Sequence, residues 1–299
     1  MVAEPDGGMR GRAAALLAAA GAARAAYAGL RRKAPGGTEI WERRNHSGRV
    51  VDLHAGPAVT FGTALAVTTA PTLPVRARAA AALAVLAAGA CGAYDDVAGR
   101  GDHRRGFRAH LGALREGEIT SGAVKLFGIG ATGLLAGALL KRRAADRILA
   151  GVVIAGSAHL ANLLDVRPGR AAKAVLAAAA PGLLLGGAAG VLSAAPVGAV
   201  AAVLCDDLGE RTMLGDTGAH ALGAGLGLAV VAGNGRTGLV LHAAAVVAAA
   251  IVGDAVGTGT AWRKFPPLRV WDALGRRPEP ASVFSRGVTP VRPMGGPGR

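Results

Sequence analysis

Aromatic residues make up only 3% of this 299-residue chain, and it has just two cysteines. Acids are also scarce: 19 Asp and Glu stand against 34 Lys and Arg, for a net charge of +15 and a pI near 11.4. Such a basic balance would suit a nucleic-acid binder, but the cations lie between apolar blocks rather than on one continuous face, and few aromatics accompany them. No nucleic-acid partner is therefore expected. Cys91 and Cys205 sit inside apolar blocks without CxxC or Cys/His spacing, which excludes a disulfide framework and a zinc site. No GxxxxGK[ST], HExxH or GxSxG element occurs. The GxGxxG at 128–133 lies in an apolar stretch with no strand before it, so its glycines read as close helix contacts rather than a dinucleotide loop.

The abundant component is apolar. Hydrophobic residues form 52% of the chain, charged residues 18%, and mean hydropathy is +0.38, which excludes a disordered chain. The apolar residues gather into long blocks separated by Arg-rich breaks, the pattern of an all-α, polytopic integral membrane protein. About nine spans (eight to ten) are expected, near 13–30, 56–73, 79–94, 120–140, 148–164, 174–188, 191–205, 217–233 and 237–256. As one helix, 174–205 would run about 48 Å, far beyond a ~30 Å hydrocarbon core. Gly186-Gly187 and Ala195-Pro196 offer places to break it.

Most basic residues outside the spans then fall on one side, in 31–49, 97–118, 167–173, Arg211 and the start of the tail. The positive-inside rule puts that side in the cytoplasm and the N-terminus outside, with Lys141-Arg142-Arg143 dissenting. The expected organisation is an N-terminal segment (1–12), a transmembrane domain (13–262) and a basic cytoplasmic tail (263–299), partly disordered. The first span lacks a convincing cleavage site and reads as an anchor rather than a signal sequence. The location is the cell membrane, multi-pass.

The few acids carry the chemistry. With nine spans, Asp95-Asp96, Asn162 with Asp165, Asp206-Asp207 and Asp216 all reach the cytoplasmic face. Carboxylates at helix C-termini face the negative end of the dipole, so a cation is needed to compensate. Mg²⁺, with Mn²⁺ as an alternative, takes one or two carboxylates and leaves room for water and phosphate. Lys125, one turn inside the fourth span, and Arg104, Arg105 and Arg108 beside it would meet phosphate charge. Blander readings exist for each: a lone Asp at a span end is usually solvated, Asp206-Asp207 could simply solvate a loop, and His159, His220 and His242 could be polar partners between helices. Asp254 near the end of the last span is an intramembrane acid without a motif.

In order, the DD at 95–96, TSGxxK at 120–125, NLLD at 162–165 and MLGDTG at 213–218 resemble the polyprenyl-phosphate N-acetylhexosamine-1-phosphate transferases, the family that includes phospho-MurNAc-pentapeptide translocase. The resemblance spans roughly residues 30 to 256. It implies a Mg²⁺-dependent membrane enzyme of cell-envelope glycan synthesis that moves a sugar-1-phosphate from a UDP-sugar to polyprenyl phosphate and releases UMP. It further implies Asp216 and Asn162 at the metal, Asp95 and Asp96 as the catalytic pair near the lipid phosphate, and Lys125 on the diphosphate. By their place on the same face, Asp165 joins the catalytic acids and Arg104 and Arg108 the substrate ligands, and a homodimer is compatible with this reading. The chain also departs from the family. Pro168-Gly169 stands where a further Asp-Gly pair is common, Ala219-His220 follows GDTG where a Ser is common, and WRKFPPLRVWDALGRRP replaces a His-rich loop. The rival expectation is a catalytically inactive descendant that binds polyprenyl phosphate or acts as an envelope-assembly scaffold. A small transporter using Asp254 and His242 is a third.

Overall fold

The computed structural model describes residues 5–101, 112–256, 262 and 264–277. The fold is all-α, with 80% of the described residues helical. Its helices are α1 (Pro5–Lys33), α2 (Thr38–Trp41), α3 (Ala55–Thr69), α4 (Val75–Ala98), α5 (Ser121–Leu140), α6 (Ala144–Leu164), α7 (Arg170–Leu185), α8 (Gly187–Ala201), α9 (Leu204–Leu208), α10 (Gly215–Gly233), α11 (Arg236–Val256) and α12 (Pro266–Ala273). A two-stranded antiparallel hairpin, β1 (Glu42–Arg44) and β2 (Val50–Asp52), pairs Arg43 with Val51.

Each of the nine apolar blocks forms a helix, but the expected count of nine membrane spans is corrected to five among the described residues: α1, α4, α5, α6 and α11. The reason is length and burial. Helices α3, α7 and α8 have 15, 16 and 15 residues. At 1.5 Å per residue each covers only about 22–24 Å, short of a ~30 Å core. Helix α10 has 19 residues but carries Asp216, His220 and many glycines, and most of its side chains are buried against neighbouring helices. The five spans make a multi-pass membrane protein the plausible reading.

Small residues hold the bundle together, because without Cβ atoms the helix backbones meet directly. On α10, a Cβ at Gly223 would lie 2.7 Å from Ala158 Cα and one at Gly227 2.7 Å from Ile154 Cα, so one stripe of α10 rests on the backbone of α6. The first and last glycines of the GxGxxG of α5 also sit at close helix contacts. Gly128 faces the Cys91 sulfur and a Cβ at Gly133 would sit 2.8 Å from the Gly151 carbonyl oxygen. Helix α1 buries Ala15, Ala19, Ala23 and Tyr27 at four-residue spacing, and Gly62 of α3 packs on the Ala19 carbonyl. The first helix begins at Pro5, so residues 5–12 of the expected N-terminal segment belong to it.

The hairpin replaces what reads as basic loop. Asn45 Oδ1 accepts from the Ser47 and Arg49 amides, each at 3.0 Å, closing its turn. Buried Glu210 receives Asn45 Nδ2 at 2.6 Å and Arg49 Nη1 at 2.8 Å, while Asp52 bridges to Thr212. The hairpin is thereby fastened to the stretch entering α10. The expected tail also contains structure: α12 docks on the start of α7, with residues 278–299 outside the described set.

Candidate functional site

Three chain segments far apart in sequence meet around one ammonium. Asp95 is in the last turn of α4, Lys125 in the first turns of α5 and Asp216 at the start of α10. The α5 start is fixed by Thr120, whose buried hydroxyl accepts from the Ala123 amide at 3.1 Å as an N-cap. Lys125 then extends to Asp95, Nζ to Oδ2 2.6 Å, and donates equally to Asp216 Oδ2. Side-chain exposures of 18%, 20% and 26% for Lys125, Asp95 and Asp216 leave the centre accessible from one side. Asp95 also accepts from Ser121, within the same TSGxxK element.

Asp96 does a different job. Its Oδ1 accepts from the Asp216 amide at 3.1 Å, and its Oδ2 accepts from the Thr217 amide at 3.0 Å and the Thr217 hydroxyl at 2.6 Å. A carboxylate on the first amides of α10 satisfies donors that the helix leaves open and faces the positive end of the dipole. Gly215 takes φ +61°, and a Cβ there would lie 3.0 Å from Asp96 Oδ2, so glycine is required where the cap closes. Gly92, one turn before Asp96, lets the α4 backbone touch Asp216 directly. Arg43 of the hairpin donates to the Asp96 carbonyl oxygen.

Asp165, just past α6, accepts from the Gly215 amide, so a second acid caps the same helix start. Burial, and then the neighbouring charges of Asp207, Asp216 and Asp96, hold its carboxyl well above the ordinary value. Asn162 lies one turn earlier, half-buried, at the α6 end that packs on α10. Arg104 and Arg108, with Arg105, lie outside the described residues.

Asp206 and Asp207 are both buried, which replaces the solvated-loop reading. Asp206 binds Arg24 and Arg211, each at 2.7 Å. Asp207 Oδ2 accepts from the Gly169 amide at 3.2 Å, and burial pushes its carboxyl from the ordinary 3.8 up to about 7. A raised acid is protonated in the folded state while its unfolded counterpart has already ionised. This penalty is absent below about pH 4, grows as pH rises to about 7, and is constant above that. Asp165 contributes with the same sign. The thermal midpoint in detergent should therefore fall from pH 4 to 7, and Asp207→Asn should flatten much of that slope.

His220 and His242 each contact the backbone of their own helix. His220 Nδ1 lies 2.6 Å from the Asp216 carbonyl oxygen and His242 Nδ1 2.7 Å from that of Gly238. The Asp254 side chain is outside the described set. Four contributors escaped sequence reasoning. Thr217 and Ser121 lie inside the GDTG and TSGxxK elements, the signal that could have found them; Arg43 and Gly92 act only through contacts across the fold.

Among the described residues, no three His, Cys, Asp or Glu side chains gather closely enough to hold a metal between them. Two carboxylates do converge: Asp95 and Asp216 share one cation, the Lys125 ammonium. A pair of carboxylates on one cation-sized position matches the donor set of a hard divalent ion completed by water and phosphate. No protein-family model matches the chain, and no curated protein matches it.

Proposed function

We propose that the chain is a membrane glycosyl-1-phosphate transferase that passes a sugar-1-phosphate from a UDP-sugar to polyprenyl phosphate in cell-envelope glycan synthesis, with the active face in the cytoplasm. The observation that carries this reading is Lys125 bridging Asp95 and Asp216, with Asp96 and Asp165 fixing the same helix start. It supports the reading because elements that resemble the family's motifs in sequence order also converge in space.

In the reaction, an oxygen of the polyprenyl phosphate attacks the sugar-bearing phosphorus of the donor. The new oxygen–phosphorus bond forms as the bridging oxygen–phosphorus bond breaks, and that bridging oxygen leaves with UMP. Asp216 and Asn162, with Asp95, would hold a Mg²⁺ or Mn²⁺ whose bound charge offsets that of the diphosphate. Lys125 contributes a positive charge at the same place and would turn from the carboxylates toward phosphate. Asp95, beside that ion, would orient the lipid phosphate for attack. Asp96 and Asp165 act through position, holding Asp216 in place by capping its helix.

Purified protein should release UMP from at least one member of a UDP-sugar panel, given polyprenyl phosphate and Mg²⁺, and Asp216→Asn should lower that rate by about 100-fold or more. No Mg²⁺-dependent UMP release from any donor would overturn the assignment. A second reading, a non-catalytic binder of polyprenyl phosphate or an assembly scaffold, is favoured by a specific observation: Lys125 already neutralises the carboxylate pair. Lipid-phosphate binding without turnover would select it.

A further inference from the structure

Helix α12 has its polarity reversed for a helix in water. Its buried side carries a charge: Asp272 Oδ1 receives Arg170 Nε at 2.8 Å, and Arg170 is only 1% exposed. Arg276 and Arg167 approach the other oxygen at 3.2 and 3.5 Å. Lys173 Nζ donates to the carbonyl oxygens of Trp271, Asp272 and Leu274, and the Arg170 guanidinium lies 4.1 Å over the Trp262 ring. Its outward side is apolar. Val270 and Leu274, one turn apart, are 66% and 60% exposed, and Phe265 at the start is 57% exposed. Lys264, Arg269 and Arg277 flank this surface, all exposed.

Position says what covers it. Arg170 opens α7, six positions after α6 ends at Leu164, and α12 begins ten positions after α11 ends at Val256. The helix therefore lies at the boundary where two apolar spans stop. An apolar outer face with a cationic margin at that depth matches a helix lying in the headgroup region, where basic side chains meet anionic lipid.

We propose that α12 is a membrane-surface helix that sinks Val270 and Leu274 into the acyl boundary and sets Lys264, Arg269 and Arg277 against anionic phospholipid headgroups. The buried Asp272–Arg170 pair clamps it to the bundle in that pose. This inference is independent of the transferase reading.

The test uses full-length protein with Cys91 and Cys205 replaced by alanine and a nitroxide placed at Val270→Cys, reconstituted in vesicles of phosphatidylcholine with or without phosphatidylglycerol. Exposed Arg44→Cys in the hairpin serves as the aqueous control. The ratio of oxygen to nickel-chelate collision at 270 should exceed the control about tenfold in phosphatidylglycerol vesicles. It should drop several-fold, to roughly its level in phosphatidylcholine alone, when Lys264, Arg269 and Arg277 are all changed to glutamate. Aqueous accessibility equal to the control in both vesicles would overturn the proposal. So would shielding from both reagents that varies with protein-to-lipid ratio, which would assign the face to a second copy of the chain.

Discussion

Replacing Lys125 by methionine should lower the stability of the folded protein by about 2–4 kcal/mol, since it removes two charge-assisted hydrogen bonds and leaves two carboxylates facing one another. The length and packing of the side chain are kept; only the cation goes. Some discount applies because the three side chains are 18–26% exposed and water can enter. Thermal unfolding in detergent should show the midpoint falling by roughly 5–10 °C. A double-mutant cycle sharpens the point. Adding Asp95→Asn removes one of the opposed charges, so the pair of changes should cost less than the sum of the two alone, with a coupling of about 1–3 kcal/mol. Strict additivity would mean that the bridge carries no energy.

Gly92→Val is expected to be at least as damaging, for a steric reason. A Cβ at Gly92 runs into the Asp216 carbonyl group and would lie 2.6 Å from the Thr217 amide nitrogen. Every one of these atoms is backbone, so no side chain can turn aside, and α4 must part from α10. Overpacking of this kind costs about 3 kcal/mol or more. It also withdraws Asp96 from the amides it caps, so the loss of folded material should be accompanied by loss of the Lys125 centre. Gly130 on α5 is the control, with no atom within 4 Å of an added Cβ. There alanine should stabilise by about 0.5–1 kcal/mol, by reducing backbone freedom in the unfolded chain. Size-exclusion profiles and thermal midpoints of the two variants should move in opposite directions.

The convergence of Asp95, Asp96, Lys125 and Asp216 was more legible in the sequence than the number of membrane spans, and the reason is compositional. Charged residues in apolar surroundings are few and costly, so Asp95, Asp96, Lys125 and Asp216 stood out individually and their helix-end placement predicted convergence. Apolar blocks built of Ala, Gly, Val and Leu look alike whether they face lipid or protein. Helix α10 is nearly all core whereas α11 exposes Leu241, Val247, Ile251 and Val252, yet both read as spans. The hairpin was hidden because its strands are three residues long and Glu42-Arg43-Arg44 shows no alternation. Helix α12 was hidden by Pro266-Pro267, which reads as a break but serves as a helix start, and by a partner for Asp272 lying 102 positions away. The distinction between Asp95 and Asp96, one binding Lys125 and the other capping α10, needed the rotation of α4 about its axis, which a DD pair alone does not encode.

Binding of Mn²⁺, followed by the loss of its free-ion paramagnetic resonance signal on addition of protein and UDP, tests the centre most directly. A metal-and-phosphate site predicts one saturable site per chain, displaced by excess Mg²⁺ and abolished by Asp216→Asn, with Asp146→Asn on α6 as the control that leaves it intact. Wild-type protein that takes up no Mn²⁺ with UDP and polyprenyl phosphate both present would contradict it.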